Sequence, residues 1–278
     1  EQCHVELVDV GGEIRYRYYA NGSTTPTFRS EDDITLATMT LGKYLLTDHD
    51  LPFGGPLGLT TFLFDFFLSP VTLQVSDENG KVTGQVGSQI LSQIPDSHPA
   101  YLVPNAFLLP RNVGLTRTLT GTGTGSYTYG SLSPDGVSIG LSGVTTQLGE
   151  VDQLHVNADG TQVRFQAGAA KSVDVTLGRR ALDQARGIEI KGFAADPATD
   201  LDVSMTPDLS IVRLANPGTA GASVDVRLMG LDVVRTVKQS FDRGTVAVPA
   251  DHELVLTVTD WADLKDATVA ATVLPLGP

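Results

Sequence analysis

A chain of 278 residues, 41% hydrophobic and 18% charged, is long enough to fold as two or three modules around sizeable cores. Its formal charge of −13, from 32 acidic against 19 basic residues, argues against nucleic acid and anionic membrane surfaces as partners. The lone cysteine, Cys3, leaves no internal disulfide, and no apolar run reaches the roughly 18 residues of a membrane span. The 29 Gly and 15 Pro are scattered without a period, which predicts many turns between short strands. The opening Glu1-Gln2-Cys3-His4 lacks an initiator Met and reads as a processed or truncated end, and with the Thr-, Ser- and Gly-rich strands below it predicts a secreted or cell-surface protein.

Residues 1–70 read as a mixed α/β segment. Residues 13–19 alternate and are rich in aromatics, a strand that ends at the turn Ala20-Asn21-Gly22-Ser23. Residues 41–46 read as a second strand, closing on Asp48-His49-Asp50-Leu51-Pro52. Leu59, Phe62, Leu63, Phe66 and Phe67 then fall at the i, i+3, i+4, i+7, i+8 spacing of a core-facing helix, which Pro70 stops.

From residue 71 the pattern is β, and the expected fold class is mainly β: two sandwich modules, Ig-like or jelly-roll-like, over residues 71–148 and 149–278. In the first, residues 71–75 alternate, Glu78-Asn79-Gly80-Lys81 is a hairpin turn, and residues 115–120 form a Thr-rich strand. Gly121-Thr122-Gly123-Thr124-Gly125 departs from a dinucleotide-binding G-x-G-x-x-G because Ser126 follows, so a hairpin or bulge is expected there. In the second module, residues 151–156 and 161–165 flank the turn Asn157-Ala158-Asp159-Gly160, and further short strands follow at close spacing. Residues 179–186 read as a helical turn, and Trp261 as a core plug behind a strand.

The chemistry-bearing patterns are few. Gly136-Val137-Ser138-Ile139-Gly140 matches G-x-S-x-G, yet a turn precedes it and a strand follows, so Ser138 is expected within a strand and not on a nucleophile elbow. His4, His49, His98, His155 and His252 share no metal-ligand spacing, and no metal site is expected from them. Glu150, Asp152, Asn157 and Asp159 offer oxygens that suit Ca²⁺ or simply form a solvated turn, and Asp196, Asp200 and Asp202 offer the same pair of readings; no other cofactor is expected. Asn21-Gly22-Ser23 also fits the N-glycosylation pattern.

The order strand, Asn21-Gly22-Ser23-Thr24-Thr25-Pro26 turn, strand, Asp48-His49-Asp50-Leu51-Pro52, apolar helix resembles the closing segment of secreted lipase- or esterase-like α/β-hydrolases, over about 55 residues. The resemblance implies that His49 is the catalytic general base, and that the β region corresponds to accessory domains appended to such enzymes. It also places Asn21 where the family carries its catalytic Asp, a residue that cannot hold an imidazolium by charge. Two functions follow as expectations. The chain is the non-catalytic C-terminal portion of an exported hydrolase whose serine lies outside it, with sandwich modules that bind an ester, lipid or glycan, or it is an extracellular binding, structural or adhesion protein with no enzymatic role.

Overall fold

The computed structural model of the chain describes residues 4–10, 13–19, 27–28, 62–68, 70–99, 105–111, 113–133, 136–180, 184–232 and 237–277. Every regular element among them is a strand. β1 (His4–Val10), β2 (Glu13–Tyr19) and β3 (Thr27–Phe28) form a small antiparallel sheet in that order. The remaining strands build two large antiparallel sheets. An opening set comprises β4 (Phe62–Leu68), β5 (Val71–Asp77), β6 (Val82–Val86), β7 (Gln89–Ser92), β8 (His98–Pro99), β9 (Ala106–Pro110) and β10 (Leu115–Gly121).

Three four-strand units follow. The first is β11 (Gly125–Leu132), β12 (Val137–Thr146), β13 (Val151–Val156) and β14 (Gln162–Gln166). The second is β15 (Lys171–Arg180), β16 (Gln184–Ala195), β17 (Leu201–Met205) and β18 (Ile211–Asn216). The third is β19 (Ala222–Asp232), β20 (Val237–Val248), β21 (His252–Val258) and β22 (Val269–Pro275). In each unit the first hairpin joins the 9-stranded sheet, in the order β20-β19-β16-β15-β12-β11-β4-β9-β8, and the second joins the 10-stranded sheet, in the order β22-β21-β18-β17-β14-β13-β10-β5-β6-β7. Each unit thus extends both sheets by two strands in the same direction, the growth rule of a repeat protein.

Local chemistry repeats with the units. Ser172-Val173-Asp174-Val175 opens the second and Ser223-Val224-Asp225-Val226 the third. Each long hairpin carries a register shift, at Tyr127/Tyr129, Val173/Val175 and Val226/Arg227, and a glycine of positive φ follows in its returning strand: Gly143 (63°), Gly192 (78°) and Gly244 (72°). A bulge adds twist and bends the hairpin, and its left-handed residue is taken by glycine without steric cost. Each short hairpin is turned by an aspartate that accepts the amide two residues on: Asp159 from Thr161 (3.0 Å), Asp208 from Ser210 (3.0 Å) and Asp260 from Ala262 (2.8 Å). Asp77 does the same for Asn79 between β5 and β6 (2.9 Å).

The core lies between the sheets. Burial alternates along β5, β10, β13, β14 and β17, and the inward side chains form one hydrophobic cluster that runs from Phe67 and Leu73 through Leu141, Leu154, Leu177 and Val203 to Leu256 and Val269. Both sheets run on past residues 148 and 149, where the sequence places a module boundary. β10 pairs with β13 and β12 pairs with β15, so both sheets cross that position, and Leu148-Gly149 is only the turn that carries the chain from one sheet to the other.

Two expected helices are strands. β4 replaces the helix read from Leu59 to Phe67: Asp65 and Phe67 face the core, Phe64 and Phe66 lie on the other face, and β4 pairs with β9 and β11. The apolar residues around Asp65 fit both periods, and pairing with β9 and β11 decides for the sheet. Phe66 in addition covers Gly130, its cross-strand partner on β11; a Cβ on that glycine would lie 2.3 Å from the ring. The helical turn read at residues 179–186 is likewise replaced, because Arg179 and Arg186 are paired opposite each other on β15 and β16.

Gly121, where β10 leaves for the other sheet, tests this crossing. Its amide donates to Glu150 O and its carbonyl accepts from Gly149 N (both 2.8 Å), and a Cβ would lie 2.0 Å from Gln147 O. Gly121→Ala is expected to destabilise the protein by about 1–3 kcal/mol in urea unfolding, because backbone cannot yield. Gly123→Ala, whose nearest contact would be Pro70 at 3.9 Å, is expected to change stability by less than about 0.5 kcal/mol.

Candidate functional site

Asn21 and His49, the residues that carry the hydrolase resemblance, lie outside the described residues. Ser138 is the second residue of β12, held opposite Leu132 and Gly178 in extended backbone, without the strand-to-helix turn of a nucleophile elbow. Trp261 is buried in the core cluster, and the Arg186 guanidinium sits 5.7 Å from its ring centroid.

The residues that suit Ca²⁺ each accept hydrogen bonds within the protein. Asn157 Oδ1 accepts from Gln162 N (2.9 Å), while Asp159 Oδ1 accepts from Thr161 Oγ1 (2.6 Å) besides its amide. The two Thr161 bonds hold Asp159 below the usual carboxylate range, and the Ser210 amide brings Asp208 down to about 2. Asp196 turns its own loop by accepting from Ala198 N (2.7 Å), Asp200 accepts from Arg164 Nε (2.6 Å), and Asp202 accepts from Gln162 Nε2 (3.3 Å). Among the described residues no group of three or more His, Cys, Asp or Glu side chains is placed to hold a metal ion.

The polar chemistry lies instead between the sheets, in two clusters built on β11. Tyr127 and Tyr129 both point inward, and each phenol donates to a buried carboxylate. Tyr129 Oη donates to Asp65 Oδ2 (2.8 Å), Ser131 Oγ to Asp65 Oδ1 (2.6 Å), and Arg117 Nε to Asp65 Oδ2 (2.8 Å). Arg117 Nη1 also donates to Leu115 O (2.9 Å). Asp65 belongs to the 9-stranded sheet and Arg117 to the 10-stranded one, so this fully buried ion pair joins the two layers.

The second cluster repeats the plan with different residues. Tyr127 Oη donates to Asp152 Oδ2 (2.8 Å) and Gly168 N to Asp152 Oδ1 (2.7 Å). Lys171 Nζ, on the opposite sheet, donates to both Asp152 oxygens (2.8 Å each), to Thr145 O (2.9 Å) and to Glu150 Oε1. The side chains of Lys171 and Asp152 are each 1% exposed, while Glu150 keeps 12% and reaches the surface.

Burial and charged neighbours fix the protonation of the two phenols and of Arg117. Burial pushes both phenols well above their usual range, helped by Asp152 and then Glu150 at Tyr127, and by Asp65 at Tyr129, where Arg117 works the other way. Burial alone would lower Arg117, and Asp65 with Tyr129 more than offsets it, leaving the guanidinium raised. Each tyrosine is therefore a permanent donor and Arg117 a permanent cation. A cavity of about 30 Å³ borders the first cluster, lined by Arg117, Ser131, Ser133, Val137 and Asn157 among others. Its size suits water and falls far short of the about 300 Å³ at which small-molecule pockets begin.

One signal for these clusters was present in the residues: Asp65 interrupts Phe62-Leu63-Phe64-Asp65-Phe66-Phe67-Leu68, and a carboxylate on a core face requires a buried partner. Comparison of the chain with family models, curated proteins and solved structures finds no match.

Removing one member of a buried pair leaves the other uncompensated. Arg117→Met is expected to cost about 3–5 kcal/mol in urea unfolding, and the double variant Asp65→Leu/Arg117→Met to regain most of that loss.

Proposed function

We propose that this chain is an extracellular structural or adhesion element without an enzymatic role of its own. The observation that carries the reading is the continuous two-sheet stack, lengthened by a repeated four-strand unit and fastened across its core by buried ion pairs. Repeat stacks of this kind serve as extended surfaces and spacers, because each unit adds area at constant cross-section. The buried pairs Asp65–Arg117 and Asp152–Lys171 serve the contact between sheets, and Asp159, Asp208 and Asp260 at the surface serve the turns. The Thr-, Ser- and Gly-rich strands suit a location outside the cell, and an ester, lipid or glycan is the ligand class such a surface would meet there.

The test is hydrolysis of short p-nitrophenyl esters by the full chain. No saturable turnover is expected, and Ser138→Ala and His49→Ala are expected to leave the background unchanged. Saturable turnover abolished by either substitution would replace this reading with an esterase.

A further inference from the structure

We propose that Lys171 and Asp152 form an intramolecular amide bond, with Glu150 as the proton carrier. The inference stands on the geometry of the second cluster and is independent of the functional reading above.

Four features converge on that bond. Lys171 Nζ lies 2.8 Å from each oxygen of Asp152, so the two groups that the bond would join are already in contact. Both side chains are 1% exposed, so water neither separates them nor competes for the acyl carbon. Each oxygen of Asp152 accepts one fixed donor from outside the pair, Gly168 N at 2.7 Å and Tyr127 Oη at 2.8 Å. Those donors face the charge that builds on oxygen as the carbon becomes tetrahedral, the arrangement of an oxyanion site. Glu150 Oε1 contacts the same Nζ from the side that reaches solvent.

The step balances without a co-reactant. Moving one proton along the 2.8 Å contact converts the ion pair to an amine beside a carboxylic acid. The Nζ lone pair attacks Cγ of Asp152, forming the C–N bond, and the π electrons move to the oxygen held by donors. Glu150 takes a proton from Nζ and returns it to the departing hydroxyl. The C–O bond breaks, and one water leaves past the partly exposed Glu150. The products are a Lys171–Asp152 amide, an ionised Glu150 and water; nothing is oxidised or reduced.

The first cluster supplies an internal contrast. It has the same tyrosine, carboxylate and cation, but its cation is Arg117, whose guanidinium stays charged and offers no free lone pair. Only the pair that contains lysine can condense.

The experiment is the mass of the denatured full chain after folding, with a tryptic map. The expected mass is lower than that of the sequence by one water. The map should contain residues 118–164 joined to residues 165–179, uncut after Lys171 and stable to hydroxylamine. Lys171→Arg, which keeps the charge without an amine, should show the full mass. Glu150→Gln, at a partly exposed position, should fold and form the bond about a hundredfold more slowly, the scale of general acid–base catalysis. A full-length mass for the folded wild type after prolonged incubation would overturn the proposal and leave the cluster an ion pair. So would a water loss mapped to cyclised Glu1 or to a succinimide at Asp135-Gly136 or Asp159-Gly160. Bond formation at an undiminished rate in Glu150→Gln would overturn the role given to Glu150.

Discussion

Charge buried between two sheets is the constraint from which the rest of this structure follows. Asp65 and Arg117 face each other across the core, as do Asp152 and Lys171, and each carboxylate is completed by a tyrosine from β11. A buried ion costs several kcal/mol to desolvate, and only a partner at the correct height in the opposite sheet offsets that cost. The pairs therefore fix the stacking register of the two layers in a way that Val and Leu contacts, which tolerate sliding, do not. β11 is the hub: displacing it would leave two carboxylates short of a donor at once.

Growth from that hub is economical. Each four-strand unit places a long bulged hairpin on one sheet and a short aspartate-turned hairpin on the other, so the core advances without a new design. The ion pairs Arg164–Asp200 and Arg213–Glu253 bridge successive units along the 10-stranded sheet, but they are partly exposed and contribute modestly. The aspartates at positions 77, 159, 208 and 260 stand at hairpin turns because a carboxylate accepts the amide that a tight turn leaves unpaired.

The β class was legible because strands such as β5 and β10 alternate strictly, and β13 alternates exposed with buried positions throughout. β4 was not, since the six apolar residues around Asp65 satisfy a helical stripe as readily as a strand and only its partners β9 and β11 decide. The single core was hidden by Leu148-Gly149-Glu150, a turn that looks like a linker until β12 is seen to pair with β15. The repeat was visible in Ser-Val-Asp-Val at residues 172–175 and 223–226 and is missed when strands are read one at a time. The ion pairs were beyond local reading: Asp65 and Arg117 are 52 residues apart, and Asp152 and Lys171 are 19 apart. The residues that suggested a hydrolase, Asn21 and His49, lie outside the described part, and the helix that accompanied them is a strand.

If one core joins all the units, a disturbance at the Asp65 clamp must be felt in the last unit, where the single tryptophan, Trp261, sits buried. The decisive measurement is urea unfolding of Asp65→Asn followed both by Trp261 fluorescence and by far-ultraviolet circular dichroism. The account predicts that both midpoints coincide and fall together relative to the unaltered chain. A Trp261 transition that stays in place while the dichroism midpoint falls would show separate modules and contradict it.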